Sequence, residues 1–190
     1  PAWLAAIVAG LPELPGTRRA RYVSELGLTE YDASVLVAEP RAAALFEVAR
    51  AAQKELDAKL LANWVSGEYL RVAKEGATDP DPVQFAALVA AVASKEINGT
   101  TAKALFAEMI TTPLNIREVI ASRGLGQISD TGALESIIAD VIAANPQAIA
   151  DWKAGKQQAV SFLVGQAMKA SKGRGDAALL GELIRAALDR

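Results

Sequence analysis

Five cations gather near the end of this sequence, Lys153, Lys156, Lys169, Lys172 and Arg174, and Asp151 is the one acid among residues 151–175. Bunched lysine and arginine create a local positive field, and the chemistry suited to such a field is the gripping of phosphates. The stretch FLVGQAMKASKGRG, residues 162–175, raises a sharper alternative: a nucleotide-cradling loop, which needs two glycines five residues apart followed by Lys and Ser or Thr. Gly165 would need a glycine where Ala170 stands, and the Gly155-Lys156 pair would need one where Ala150 stands. Neither is a P-loop.

The rest of the inventory narrows the chemistry further. Cysteine and histidine are both absent, which removes disulfides, thiolate nucleophiles, the usual zinc sites and every triad built on histidine. Two aspartates in ATDPDP, residues 77–82, invite a calcium reading, but an EF-hand loop needs several more spaced oxygen ligands and a closing glutamate. A proline-stiffened connector is the simpler reading. The most apolar run, residues 83–94, falls short of the roughly 20 residues of a membrane span and reads as a buried helix. The chain opens at Pro1 with no basic-then-apolar leader, so it is expected to be cytoplasmic and a fragment of a longer protein.

The elements that position the cations are expected to be helices throughout, because no run alternates over a strand's length. The expected class is all-α, a helical domain over residues 1–113 followed by a small helical tail domain over 114–190. A first helix should occupy residues 14–25 and stop before Gly27. Thr29 should cap a second with Asp32 three positions on, and Pro40 suits the first turn of a third. One long helix is expected over residues 53–74, another over 82–95, and a third, capped by Asn98 or Thr100, through residue 111. Pro113 marks the expected boundary. Eleven basic and fourteen acidic residues precede it, and nine basic and eight acidic follow. Beyond it, Asp130 should cap a helix ending at Ala144, Asn145 the next with Pro146 in its first turn, and Asp176 the last.

On the helix expected over residues 156–170, Val160, Leu163, Val164, Ala167 and Met168 form a core-facing stripe. A neighbouring row holds Gln158, Phe162, Gly165 and Lys169, and reaches Lys172 if the helix persists that far. Glycine inside a helix costs about 1 kcal/mol against alanine, so Gly165 should admit the close approach of another backbone, a neighbouring helix first and a nucleic acid second. Phe162 is expected to lie mostly in the core.

Several segments together resemble the C-terminal part of the B subunit of the bacterial aspartyl/glutamyl-tRNA amidotransferase. They are LPELPGTRRARYVSELGLTEYDASVL at 11–36, ANW at 62–64, INGTTAKALFAEM at 97–109, GLGQISD at 124–130, NPQAIADWKAGK at 145–156 and FLVGQAMKASKG at 162–173. The chain departs from the family pattern at Ser161, at Gly175-Asp176 and at Trp152. The resemblance implies a helical domain and a YqeY-like tail that embrace tRNA, the tail meeting the elbow near the D-loop. Implied partners are tRNA(Gln), tRNA(Asn) and subunits A and C, with no membrane. The resemblance also implies that catalysis lies elsewhere. The first of those two subunits would release ammonia from glutamine, and a cradle absent from this chain, holding ATP, magnesium and zinc, would activate the mischarged Asp or Glu. No catalytic residue, cofactor or metal is expected in this chain, and the five cations are the expected nucleic-acid contacts. The alternative reading is a scaffold that docks other subunits and has little affinity for tRNA.

Overall fold

The computed structural model describes residues 13–128 and 131–189. Among them the regular structure is helical, and the one β-type contact is an isolated parallel bridge between Ile128 and Gly175. Contacts group the chain into two compact units. The first runs up to Ala90 and adds Met109–Pro113; the second comprises Ala91–Glu108 and Leu114–Arg190. The segment Ala91–Glu108, which precedes Pro113, thus groups with the residues that follow it.

The first unit begins with α1 (Pro15–Leu26), which has Pro15 in its first turn and buries Tyr22. Gly27 ends it at φ 66°, a left-handed conformation open to glycine at little cost, and the Leu28 N–H then closes back on the Tyr22 carbonyl at 3.2 Å. Thr29 caps α2 (Glu30–Ala38) by accepting from the Asp32 N–H, and Pro40 opens α3 (Pro40–Ala52). The long helix expected from residue 53 does not form as one piece. Asp57 accepts from the Leu60 N–H at 2.6 Å and starts α4 (Ala58–Trp64) afresh, so residues 53–57 become a turn. A π-helical turn, Val65–Tyr69, then leads into α5 (Leu70–Lys74).

The hydrophobic interior of this unit is rich in aromatics: Tyr22, Phe46, Tyr69 and Phe85 are fully buried beside Leu36, Leu61 and Leu88. Tyr22 and Phe46 meet edge to face, with centroids 5.1 Å apart, a geometry in which a ring edge meets the electron-rich face of its neighbour. Ion pairs tie the surface of the same helices together. Arg21 bonds Glu13 at 2.7 Å and also Glu47, Lys59 pairs with Asp32, and Arg41 takes Asp79 at 2.6 Å. Tyr69 donates to that same Asp79.

Next comes α6 (Pro82–Ala93), whose start is capped by Asp81, which accepts from the Val83 and Gln84 N–H groups at 2.8 and 3.2 Å. Asn98 caps α7 (Gly99–Met109), accepting from the Thr101 N–H at 2.9 Å, and Asn115 caps α8 (Ile116–Ser122). The tail then folds as α9 (Thr131–Ala144), α10 (Pro146–Lys153), α11 (Gln158–Ala170) and α12 (Ala177–Leu188). Asp130, the expected cap of α9, lies outside the described residues.

Asn145 does precede α10, but its side chain caps nothing there; its amide donates instead to the Val141 carbonyl of α9 at 2.7 Å. Asp176 caps α12 as expected, accepting from the Ala178 and Leu179 N–H groups. The tail core is aliphatic: Leu134, Ile138 and Val141 of α9, Ala148 of α10, Val160, Leu163 and Ala167 of α11, and Leu180, Ile184 and Leu188 of α12. Helix α11 is its hub, packing against α9, α10 and α12.

Candidate nucleic-acid interface

Helix α11 buries one stripe and exposes another. Val160, Leu163 and Ala167 are sealed in the tail core, with Val164 and Met168 packed partly against it. The adjacent row of Gln158, Phe162, Gly165 and Lys169 faces solvent. Phe162 is 49% exposed, which corrects the expectation that it fills the core. It stands one residue, about 100° of helical rotation, from Leu163 and so leaves the buried stripe. Gly165 is also corrected, because no atom outside its own helix lies within 4 Å of where its Cβ would be. The helix cost of that glycine is therefore not offset by a neighbouring helix of this unit.

The five cations do not form one cluster. Lys153 closes α10 and Lys156 follows Gly155, whose φ of 83° reverses the chain. Lys169 sits in the last turn of α11, and Lys172 lies beyond its end at Ala170, in a left-handed turn with φ 55°. At 1.5 Å per residue, the length of α11 separates the two groups by about 20 Å. The exposed row runs between them.

Each cation has a different local fate. Lys156 binds Asp151 at 2.9 Å, and this bond holds the Asp151 carboxyl below the ordinary aspartate range. Arg174 donates from Nη1 to the Gly124 carbonyl at 2.8 Å. Lys153, Lys169 and Lys172 are exposed, and none pairs with an acid among the described residues.

The turn that presents Lys172 and Arg174 is held from several sides within the second unit. The Ile128 N–H donates to the Arg174 carbonyl at 2.8 Å, and the Gln127 N–H to the Glu96 carbonyl at 2.7 Å. Asn98, while capping α7 through its oxygen, donates through its amide nitrogen to the Gly173 carbonyl. Ser171 is buried but fully used: its hydroxyl donates to the Met168 carbonyl at 3.0 Å and accepts from the Gly175 N–H at 3.1 Å. Gly175 is required by space, since a Cβ there would lie 2.7 Å from Leu180 Cδ1. None of these long-range bonds has a signal in local sequence. Asn98 and Gly173 are 75 positions apart.

The structure also shows a feature that the sequence did not announce. Where α9 ends, α10 begins and α11 starts, an open cleft of about 430 Å³ is lined by Asn145, Gln147, Asp151, Lys156, Gln158 and Phe162, among others. The one sequence signal pointing to it is Phe162, a residue expected to face inward.

Among the described residues no group of three or more carboxylates could hold a metal ion, and the chain has no cysteine or histidine. The residues present therefore do not fit the ATP, magnesium or zinc sites implied for the parent subunit. No helix described is long and apolar enough to cross a membrane.

Residues 44–188 match the family described as the GatB domain. Among curated relatives, the chain is 41% identical to the B subunit of aspartyl/glutamyl-tRNA(Asn/Gln) amidotransferase from Herpetosiphon aurantiacus, an alignment covering 98% of this chain and 40% of that protein. Its counterpart from Granulibacter bethesdensis is 41% identical, over 98% of this chain and 39% of the relative. That of Solidesulfovibrio magneticus is 42% identical, over 93% and 38%. The chain thus spans about two fifths of the length of these relatives, and it belongs to the GatB domain family, matching the C-terminal region of the amidotransferase B subunit.

Proposed function

We propose that this chain grips and positions tRNA for a tRNA-dependent amidotransferase and performs none of the chemistry itself. Its tail would meet the folded tRNA through Lys153, Lys156, Lys169, Lys172 and Arg174, while the parent subunit, with subunits A and C, converts Asp-tRNA(Asn) or Glu-tRNA(Gln) to the amidated product in the cytoplasm. ATP and magnesium would act in a catalytic domain outside this chain. The observation that carries the reading is the exposed row on α11, which runs between two groups of cations of which Lys153, Lys169 and Lys172 pair with no acid among the described residues. Recognition of this kind reads shape and backbone charge, because base edges in RNA helices lie in a deep, narrow groove.

Contact with about four phosphates predicts a fall in tRNA affinity of roughly two decades between 50 and 200 mM salt. The double variant Lys169→Glu, Lys172→Glu should weaken binding of unmodified tRNA(Gln) and leave the helical circular dichroism unchanged. Salt-insensitive binding, or normal binding by that variant, counts against the proposal. A second reading, a scaffold for docking other subunits, draws support from the first unit, where Arg18, Arg19, Arg21, Arg41, Lys59 and Arg71 all pair with acids of the chain. A chain that retains no tRNA at 50 mM salt would favour it.

A further inference from the structure

The cleft beside Phe162 has a composition that a phosphate-tracking surface does not need. Its apolar side is made by Pro146, Ala148, Ala159 and the half-exposed ring of Phe162. Its polar rim carries the side-chain amides of Asn145, Gln147 and Gln158 and the Asp151–Lys156 ion pair. The Asn145 amide nitrogen is already given to the Val141 carbonyl, so its oxygen is the atom left to accept. At about 430 Å³ the cleft falls in the range of sites that enclose a small, flat ligand, roughly 300–1,000 Å³.

We infer that this cleft receives one unpaired base of the bound RNA, stacked on Phe162. Amides donate and accept on neighbouring atoms, as base edges do, and an aromatic face offers stacking to any base. Charge complementarity selects this occupant over a protein segment. Lys153 lies on α10 itself and Lys156 on the cleft wall, so the phosphates flanking a splayed base would meet cations on the same side. Asp151 stays ionised under the hold of Lys156 and supplies an acceptor for an exocyclic amino group. The inference rests on the tRNA reading above and adds a base-selective element to it.

The test measures filter binding of the 190-residue chain to unmodified tRNA(Gln) at several salt concentrations. Phe162→Ala should bind about five- to 150-fold more weakly, the range expected for loss of one stacked base. Its salt dependence should match that of the parent chain, because no phosphate contact is removed. Phe162→Tyr should restore binding. The tRNA is then assembled with single abasic sites in its loops. One of these should reproduce the loss and add nothing to Phe162→Ala.

Unchanged affinity of Phe162→Ala, alongside weakened binding by the Lys169→Glu, Lys172→Glu variant, overturns the base site and leaves the tRNA reading standing. A loss that adds in full to every abasic site also overturns it, and assigns Phe162 to another contact such as a protein partner. Absence of salt-dependent binding by the unaltered chain fails the tRNA reading itself, and the base site with it.

Discussion

The two units use charge and apolar surface in opposite ways. In the first, cations point at acids of the same unit: Arg18 and Arg21 converge on Glu13, Arg21 also reaches Glu47, and Arg41 closes on Asp79. Its core is aromatic, and Arg21 lies 5.2 Å from the centre of the Tyr22 ring, so surface charge and core are coupled. The tail core contains no buried aromatic among the described residues, and Lys153, Lys169 and Lys172 are left facing solvent. Internal pairing makes charge a fastener between helices. Where packing alone holds the helices, charge remains available to a partner.

The contrast is broken or sharpened most strongly at Leu163, fully buried at the hub of the tail. Leu163→Ala should destabilise the tail by about 2–5 kcal/mol, the cost of lost burial plus a cavity. Hydrogen exchange should lose protection in α9 to α12 and keep it in α1 to α3. Equal loss in both units would show that they do not hold separate cores.

Acid acts next, and on the first unit. Bonds from Arg21, seconded by Arg18, hold the Glu13 carboxyl at about 2, against an ordinary value of 4.5. A pKa lowered by folding contributes stability that is fully present above 4.5 and is lost as pH falls from there toward 2. Urea midpoints followed by probes in α1 to α3 should therefore drop across that window, and Glu13→Gln should flatten the drop. In the tail, the shifted carboxylate is Asp151, paired to an exposed lysine, and such pairs contribute little. A tail that melts in step with α1 over the same pH range would undo the comparison.

The smallest effect tests the aromatic core. The Tyr22 hydroxyl is buried without a hydrogen-bond partner, and burial pushes that phenol's pKa up. Tyr22→Phe keeps the ring against Phe46 and removes an unsatisfied donor. It should leave stability unchanged or raise it by about 1 kcal/mol in urea unfolding. A loss larger than that would show that the hydroxyl is satisfied in solution.

The helices were legible where their ends are set by adjacent residues. Gly27, Thr29, Pro40, Asn98 and Asp176 each act within a few positions, so a one-dimensional reading suffices. Asp57 was legible in principle, a cap residue three positions before the Leu60 N–H it receives, but the helical character of residues 53–74 masked the break. The site was half legible. The core stripe of α11 followed from its period. The exposure of Phe162 depends on where the neighbouring helices stop, and a row beside an apolar stripe does not reveal that. Arg174 reads locally as a cation for a partner, whereas its bond to Gly124, 50 positions away, belongs to tertiary structure. Asn145 looks like a cap for the helix after it and serves the helix before it, a choice between two helix ends equally close in sequence.

The π-turn Val65–Tyr69 makes its helix sensitive to residue count. Removing one residue between positions 65 and 69 would restore ordinary winding but rotate everything downstream by about 100°. Tyr69 would then swing away from Asp79, and the carboxylate it shares with Arg41 would lose one of its two holders. Gly67, which has open space around it, can change identity more freely than it can be deleted. What is guarded along this stretch is arithmetic before chemistry.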